Sequence, residues 1–129
     1  MLTKQASPSL AKTPLPRISE CVGSVSETEL REWVERLAVP RHYELEQETN
    51  KNTALWIGAQ LQSRGYHVEL QGQWWNVVAL PKQPCGPVAL VCAHYDSVGG
   101  CAGADDNASG VSALLGCAKA CAPPPQAAR

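Results

Sequence analysis

Apolar positions recur with helical spacing in the first part of the chain. Four of them stand at i, i+3, i+4 and i+7, namely Leu30, Trp33, Val34 and Leu37. This spacing predicts a helix with one apolar stripe. Ser26 with Glu29 three residues later matches a capping box at its start, and Pro40 ends it.

Two further helices are predicted from the same spacing. The second runs from about Asn50 to Arg64, and Gly65 suits the left-handed position after a helix end. Its stripe comprises Ala54, Ile57, Gly58 and Leu61. The last helix begins near Asn107 or Ser109. Its stripe comprises Val111, Leu114, Leu115 and Ala118.

Between these helices the apolar positions change to a period of two. Apolar Tyr66, Val68 and Leu70 alternate with polar His67 and Glu69. The alternation predicts a strand with one buried face, and residues 75–80 predict a second, antiparallel strand. The run at 88–93 is continuously apolar, which is typical of a central strand covered on both faces. The order helix, helix, hairpin, strand, helix predicts an α/β sandwich.

Composition limits the chain to one domain and excludes several partners. The 129 residues carry a formal net charge of −1, and nucleic-acid binding needs a basic excess. No apolar run approaches the roughly 18 residues of a membrane span, and no secretory signal is visible, so we expect a cytoplasmic protein. Residues 1–25 are rich in proline without periodicity and predict a flexible segment. Residues 122–129 contain three consecutive prolines and predict a disordered tail.

The six cysteines form no C-x-x-C pair. Neither a zinc ribbon nor a thioredoxin-type redox site is therefore indicated. We expect free, mostly buried thiols in a reducing compartment.

The chemistry is concentrated where the apolar run at 88–93 ends. His94 and Asp96 follow it directly, and in an extended chain residues i and i+2 point to the same side. Ligand sites in α/β sheets form at this end of the strands. A carboxylate beside an imidazole is typical of a metal-binding histidine whose second nitrogen is held in place. Asp105 and Asp106, further along the loop, offer carboxylates that would complete a metal site.

A structural interpretation competes with the metal site. Asp105, Asp106 and Asn107 precede a helix, where N-capping selects the same residue types. A single histidine at a strand end is also typical of a structural side chain. The Gly-rich loop contains neither G-x-G-x-x-G nor a P-loop lysine, which argues against nucleotide binding. No G-x-S-x-G is present to mark a serine nucleophile.

The strings AHYDSV and GADDNASGVSALL resemble the metal-site segments of the co-catalytic zinc aminopeptidases. These are the enzymes of the aminopeptidase Y and aminopeptidase S type, peptidase family M28. The resemblance covers about Ser26 to Ala120, and its last third is specific. It implies a three-layer αβα sandwich with a mixed sheet, truncated after the first three strands. Residues 26–121 would then be the N-terminal part of a zinc-peptidase domain.

The resemblance also implies roles for individual residues. His94 is similar to a zinc ligand, Asp96 to the carboxylate that orients it, and Asp105 to the aspartate that bridges two zinc ions. The bond between Asp105 and Asp106 is often cis in that family. Two zinc ions in the complete family site activate a water and polarise the carbonyl of a peptide substrate, which releases the N-terminal residue.

The remaining catalytic groups of that family lie downstream of the last helix. They are a glutamate base, a second glutamate, a further acidic ligand and a second histidine, and no Asp, Glu or His follows Asp106 here. We therefore expect the N-terminal half of an aminopeptidase, inactive alone and completed by a missing C-terminal half. The alternative is a non-catalytic binding module or remnant that keeps the peptidase fold. Relatives in that family are often exported.

Overall fold

The computed structural model describes residues 18–82, 87 and 89–122. Within them, helices and one small sheet follow each other along the chain. The elements are α1 (Ile18–Gly23), α2 (Glu27–Leu37), α3 (Gln47–Ser63), β1 (Tyr66–Gln71), β2 (Asn76–Pro81) and α4 (Gly110–Ala120). This mixture is compatible with the predicted α/β class, and the three-layer sandwich stays a prediction.

The helix limits follow the signals in the sequence. The Ser26 side chain accepts a hydrogen bond from the Glu29 amide at 3.2 Å, which confirms the cap of α2. Helix α3 begins three residues before the predicted Asn50. Gly65 follows its end with a φ of 89°, a left-handed conformation that glycine adopts without strain.

The core lies where α2, α3 and α4 meet, and the predicted stripes supply all of its buried residues except Ala108. Its buried residues are Trp33, Leu37, Ile57, Leu61, Ala108, Val111 and Leu115. The side of α3 that carries Gly58 packs on the hairpin, and a Cβ at Gly58 would lie 3.4 Å from the side chain of Val68. The glycine therefore lets the helix approach the strands closely.

The antiparallel hairpin is confirmed. Its register runs from Tyr66 opposite Pro81 to Gln71 opposite Asn76. Val68 packs against the core while His67 is exposed, as the alternation predicts. The Tyr66 hydroxyl donates to the Ala118 carbonyl at 3.1 Å and so ties β1 to α4.

Residues 89–93 of the third predicted strand are not in a strand, so the prediction was wrong for the part of the 88–93 run that the structure describes. Residues 89–93 have irregular backbone, and Leu90 is 90% exposed. A central strand needs hydrogen-bonded neighbours on both sides. In the described part of the chain the sheet contains only β1 and β2, so the apolar run lacks them.

The flexible segment at residues 1–25 and the disordered tail at residues 122–129 stay predictions, and one other expectation needs correction. Helix α1 lies inside the segment for which no helix was predicted, while residues 1–17 and 123–129 fall outside the described part. Of the cysteines that the structure describes, Cys21 is half-buried and four others are exposed, so the expectation of mostly buried thiols was wrong. Among the described helices none is long and apolar enough to cross a membrane.

Candidate metal site

The segment at 94–96 is held by the side chain between the two candidate residues. Tyr95 packs against the core, and its hydroxyl donates to the Trp74 carbonyl at 2.9 Å. The side chains of His94 and Asp96, on either side of it in the sequence, are instead about half exposed. Their side chains meet, with His94 Nδ1 3.2 Å from Asp96 Oδ1.

The second part of the site is the turn Ala104–Ser109, which leads into α4. Gly103 begins it in a left-handed conformation with a φ of 56°. The Asn107 side chain accepts from the Gly110 amide at 3.1 Å and donates to the His94 carbonyl at 3.3 Å. Of the three polar residues that could cap α4, Asn107 is the one whose side chain does so, and it also fastens the turn to His94.

Asp106 completes a row of three side chains. Its Oδ1 lies 3.0 Å from His94 Nε2, on the side of the ring opposite Asp96. About half of the His94 side chain is exposed, and the Asp106 side chain is 77% exposed. The imidazole is therefore placed between two carboxylates and is accessible from outside.

A neutral imidazole ring cannot donate a hydrogen bond to both carboxylates. Such a ring has one N–H and one lone pair, so one nitrogen would present a lone pair to a carboxylate. A second proton resolves the conflict, and so does a cation between the lone pair and the carboxylate. If Asp96 holds the proton on Nδ1, the lone pair of His94 Nε2 faces Asp106.

These two facing atoms fit part of a zinc site. Ligand atoms about 2.1 Å from a tetrahedral zinc ion lie roughly 3.4 Å apart, a few tenths of an ångström more than the observed 3.0 Å. The donor types, one imidazole nitrogen and one carboxylate oxygen, are also those that zinc takes. Across the part of the chain that the structure describes, no group of three or more His, Cys, Asp or Glu could hold a metal ion. The fit therefore covers two of the three protein ligands of a catalytic zinc.

Asp105 is not brought to this row. Its carbonyl accepts from the Ser109 hydroxyl at 2.7 Å, but its carboxylate contacts no other described side chain through a hydrogen bond or ion pair. The cis peptide bond lies between Asp106 and Asn107, so the expected cis bond between Asp105 and Asp106 was misplaced by one residue. Two adjacent aspartates cannot be told apart by sequence when the backbone between them is not regular.

A second histidine faces the same region. His42, which the sequence did not mark, lines a cavity of about 240 Å³ together with His94, Asp96 and Asp106. Its Nδ1 accepts from the Glu44 amide at 3.1 Å, which leaves the proton of the neutral ring on Nε2. His42 is therefore a hydrogen-bond donor beside the site.

Burial raises the pKa of Tyr95 to about 12, and the nearby Asp96 carboxylate adds to the shift. The protonated phenol is thus favoured in the folded state, and its contribution to stability is lost as pH rises from about 10 to about 12. We expect Tyr95→Phe to be destabilised at neutral pH by the loss of its hydrogen bonds. Its free energy of unfolding should then fall less steeply over that alkaline range. Denaturant titrations at pH 9 to 12 measure this, and equal slopes for the two proteins would contradict it.

A model of peptidase family M28 matches residues 76–129 of the chain. The matched segment contains β2 and both strings that form the row of side chains. The match supports a relation to that family over this segment. No curated protein and no solved structure is similar enough to the chain to match it.

Proposed function

We propose that the chain is the N-terminal half of a zinc-dependent metallo-exopeptidase, an aminopeptidase that removes N-terminal residues from peptides. The observation that carries the proposal is the His94 ring, placed with Asp96 at Nδ1 and Asp106 at Nε2. The family match over residues 76–129 supports a peptidase-related fragment. The resemblance alone implies Asp105 as the metal-bridging residue, while the contact with His94 favours Asp106.

The residues of this chain would divide the work at the site as follows. His94 Nε2 and the Asp106 carboxylate hold the ion, and Asp96 keeps the proton on His94 Nδ1 and holds the ring in orientation. Zinc, when bound, supplies an activated water and polarises the scissile carbonyl. The exposed side of Asp106 leaves room for a peptide and for further ligands.

A C-terminal half would supply the general base and the remaining ligands. A catalytic zinc takes three protein ligands and a water, and this chain brings two of them together. Leu90 and Val91 are 90% and 58% exposed, which is apolar surface suited to cover by further polypeptide. Zinc binding by the chain alone is accordingly expected to be weak.

The test is zinc binding to the full chain and to Asp96→Asn. Asparagine at 96 holds the Nδ1 proton less strongly, and loss of such a partner weakens metal affinity by roughly 10–100-fold. The chain contains a matched control in His67, whose Nε2 lies 3.3 Å from Glu69 two residues away on β1. Glu69→Gln should leave zinc binding unchanged. Competition with a chromophoric chelator measures the zinc affinity of both variants. Equal effects of the two substitutions would contradict the proposed site.

A further inference from the structure

Arg41 is the largest fully buried side chain in the described part of the chain, with 0% exposure. None of the carboxylates that the structure describes forms an ion pair with it. Its guanidinium donates instead to five backbone carbonyls, those of Leu37, Val39, Tyr95, Ala102 and Gly103. A buried cation satisfied by carbonyls alone is unusual, because buried charges are generally paired.

The positions of these carbonyls explain the arrangement. Tyr95 lies between His94 and Asp96, and Gly103 begins the turn that carries Asp106. The guanidinium therefore joins the two segments that supply the row of site side chains. The Leu37 carbonyl, 2.6 Å from Nη1, fastens both segments to the end of α2.

The backbone of Arg41 strengthens the same junction. Its amide donates to the Ser97 hydroxyl at 3.0 Å, and its carbonyl accepts from the Asn50 side chain at 2.9 Å. The Ser97 hydroxyl in turn donates to the Cys101 carbonyl at 2.9 Å, inside the loop between the two segments. Arg41 thus contacts this loop through its backbone and through its side chain.

We propose that Arg41 is a positioning residue for the metal site, which sets the separation of His94 from Asp106 without contacting either. The inference rests on the proposed function. A lysine cannot replace it, because an ammonium group has three donors and lacks the planar fork that reaches several carbonyls at once. Burial lowers the pKa of Arg41, but Asp96 and Asp106 oppose that shift, and the group stays charged.

The first test compares zinc binding by Arg41→Lys and Ser112→Ala with the wild-type chain. Ser112 is also buried, and its hydroxyl donates to the Leu30 carbonyl at 2.9 Å, joining α4 to α2 away from the site. Both variants lose a buried link between elements. Where both variants are folded, Arg41→Lys should raise the zinc dissociation constant by about tenfold. This is the lower end of the range for losing a residue that supports a metal ligand without binding the metal. Ser112→Ala should stay within about twofold.

The second test needs no metal and follows amide hydrogen exchange in the wild-type chain and both variants. The Cys101 amide donates to the Val98 carbonyl and the Ala108 amide to the Gly103 carbonyl, so both report on the loop that Arg41 holds. Arg41→Lys should speed their exchange by about tenfold relative to amides of α3, and Ser112→Ala should not. A uniform change across the chain would show a merely structural role and overturn the inference.

The two tests separate this inference from the proposed function. If wild-type and His94→Ala chains bind zinc alike, the proposed function fails, and hydrogen exchange still decides whether Arg41 holds the two segments. If zinc binding depends on His94 but Arg41→Lys behaves as Ser112→Ala does, the inference alone fails. Should Arg41→Lys not fold, Ser97→Ala removes the backbone link, and it should also weaken zinc binding selectively. A Ser97→Ala chain with wild-type zinc affinity and exchange would overturn the inference.

Discussion

Replacing Asp106 by asparagine is expected to raise the dissociation constant for zinc more than about 100-fold, while Asp105→Asn leaves it within about twofold. The Asp106 carboxylate lies 3.0 Å from His94 Nε2. Loss of a residue that hydrogen-bonds a metal ligand already weakens metal affinity by roughly 10–100-fold, so loss of a carboxylate that binds the metal directly should weaken it more. The Asp105 carboxylate makes no such contact.

The pair of variants controls for electrostatics. Each removes one negative charge, at neighbouring positions, so long-range effects on a cation are matched. Chelator competition at one pH and ionic strength measures both dissociation constants. If Asp105→Asn has the larger effect, the ligand is the one that the family resemblance implies. If both changes have equally small effects, neither carboxylate binds the ion directly, and equally large effects would mean that both do.

Gly103→Ala is expected to lower the free energy of unfolding by about 2–5 kcal/mol, since left-handed strain costs about 1–2 kcal/mol and overpacking about 1–3 kcal/mol. An added Cβ at Gly103 would lie 2.6 Å from the Asp106 carbonyl and 2.9 Å from the Ser97 Cβ. Relief of that contact has to move the turn that carries Asp106 or the loop that carries Ser97. The site should therefore lose zinc affinity as well as stability.

Gly100→Ala is the matched control. Gly100 also has a left-handed backbone, with a φ of 71°, but no atom of the described residues lies within 4 Å of an added Cβ. Gly100→Ala should lower the free energy of unfolding only by the backbone strain of about 1–2 kcal/mol, and its zinc affinity should be unchanged. Urea denaturation of the metal-free chains measures the difference. Equal losses of unfolding free energy in the two variants would mean that the close packing around Gly103 adds nothing to the cost of the substitution.

Local patterns in the sequence were enough for the regular elements. The stripe that contains Trp33 predicts α2, and the alternation around Val68 predicts a strand with one buried face, because both follow from backbone periodicity. The spacing of His94 and Asp96, two residues apart, likewise predicts that their side chains point to the same side. The contact between these side chains confirms that prediction. In each case the structure is determined by residues that are close together in the sequence.

The parts that sequence did not predict depend on distant residues or irregular backbone. Asp106 rather than Asp105 faces His94 because the turn departs from helical geometry, with φ and ψ of −108° and 91° at Asp106. Arg41 stands in a polar stretch that is typical of a surface, and only its distant carbonyl partners make it a core residue. The run at 88–93 has the apolarity of a central strand, but pairing is decided by other strands.

Zinc ligation by His94 is tested most directly by the state of its imidazole nitrogens in the nitrogen-15-labelled chain as zinc is added. We expect zinc to shift the Nε2 resonance of His94 while Nδ1 stays protonated toward Asp96. His67, exposed on β1 beside Glu69, serves as the internal reference. A His94 ring that is unchanged at saturating zinc, or that binds zinc through Nδ1, would contradict the proposed metal site.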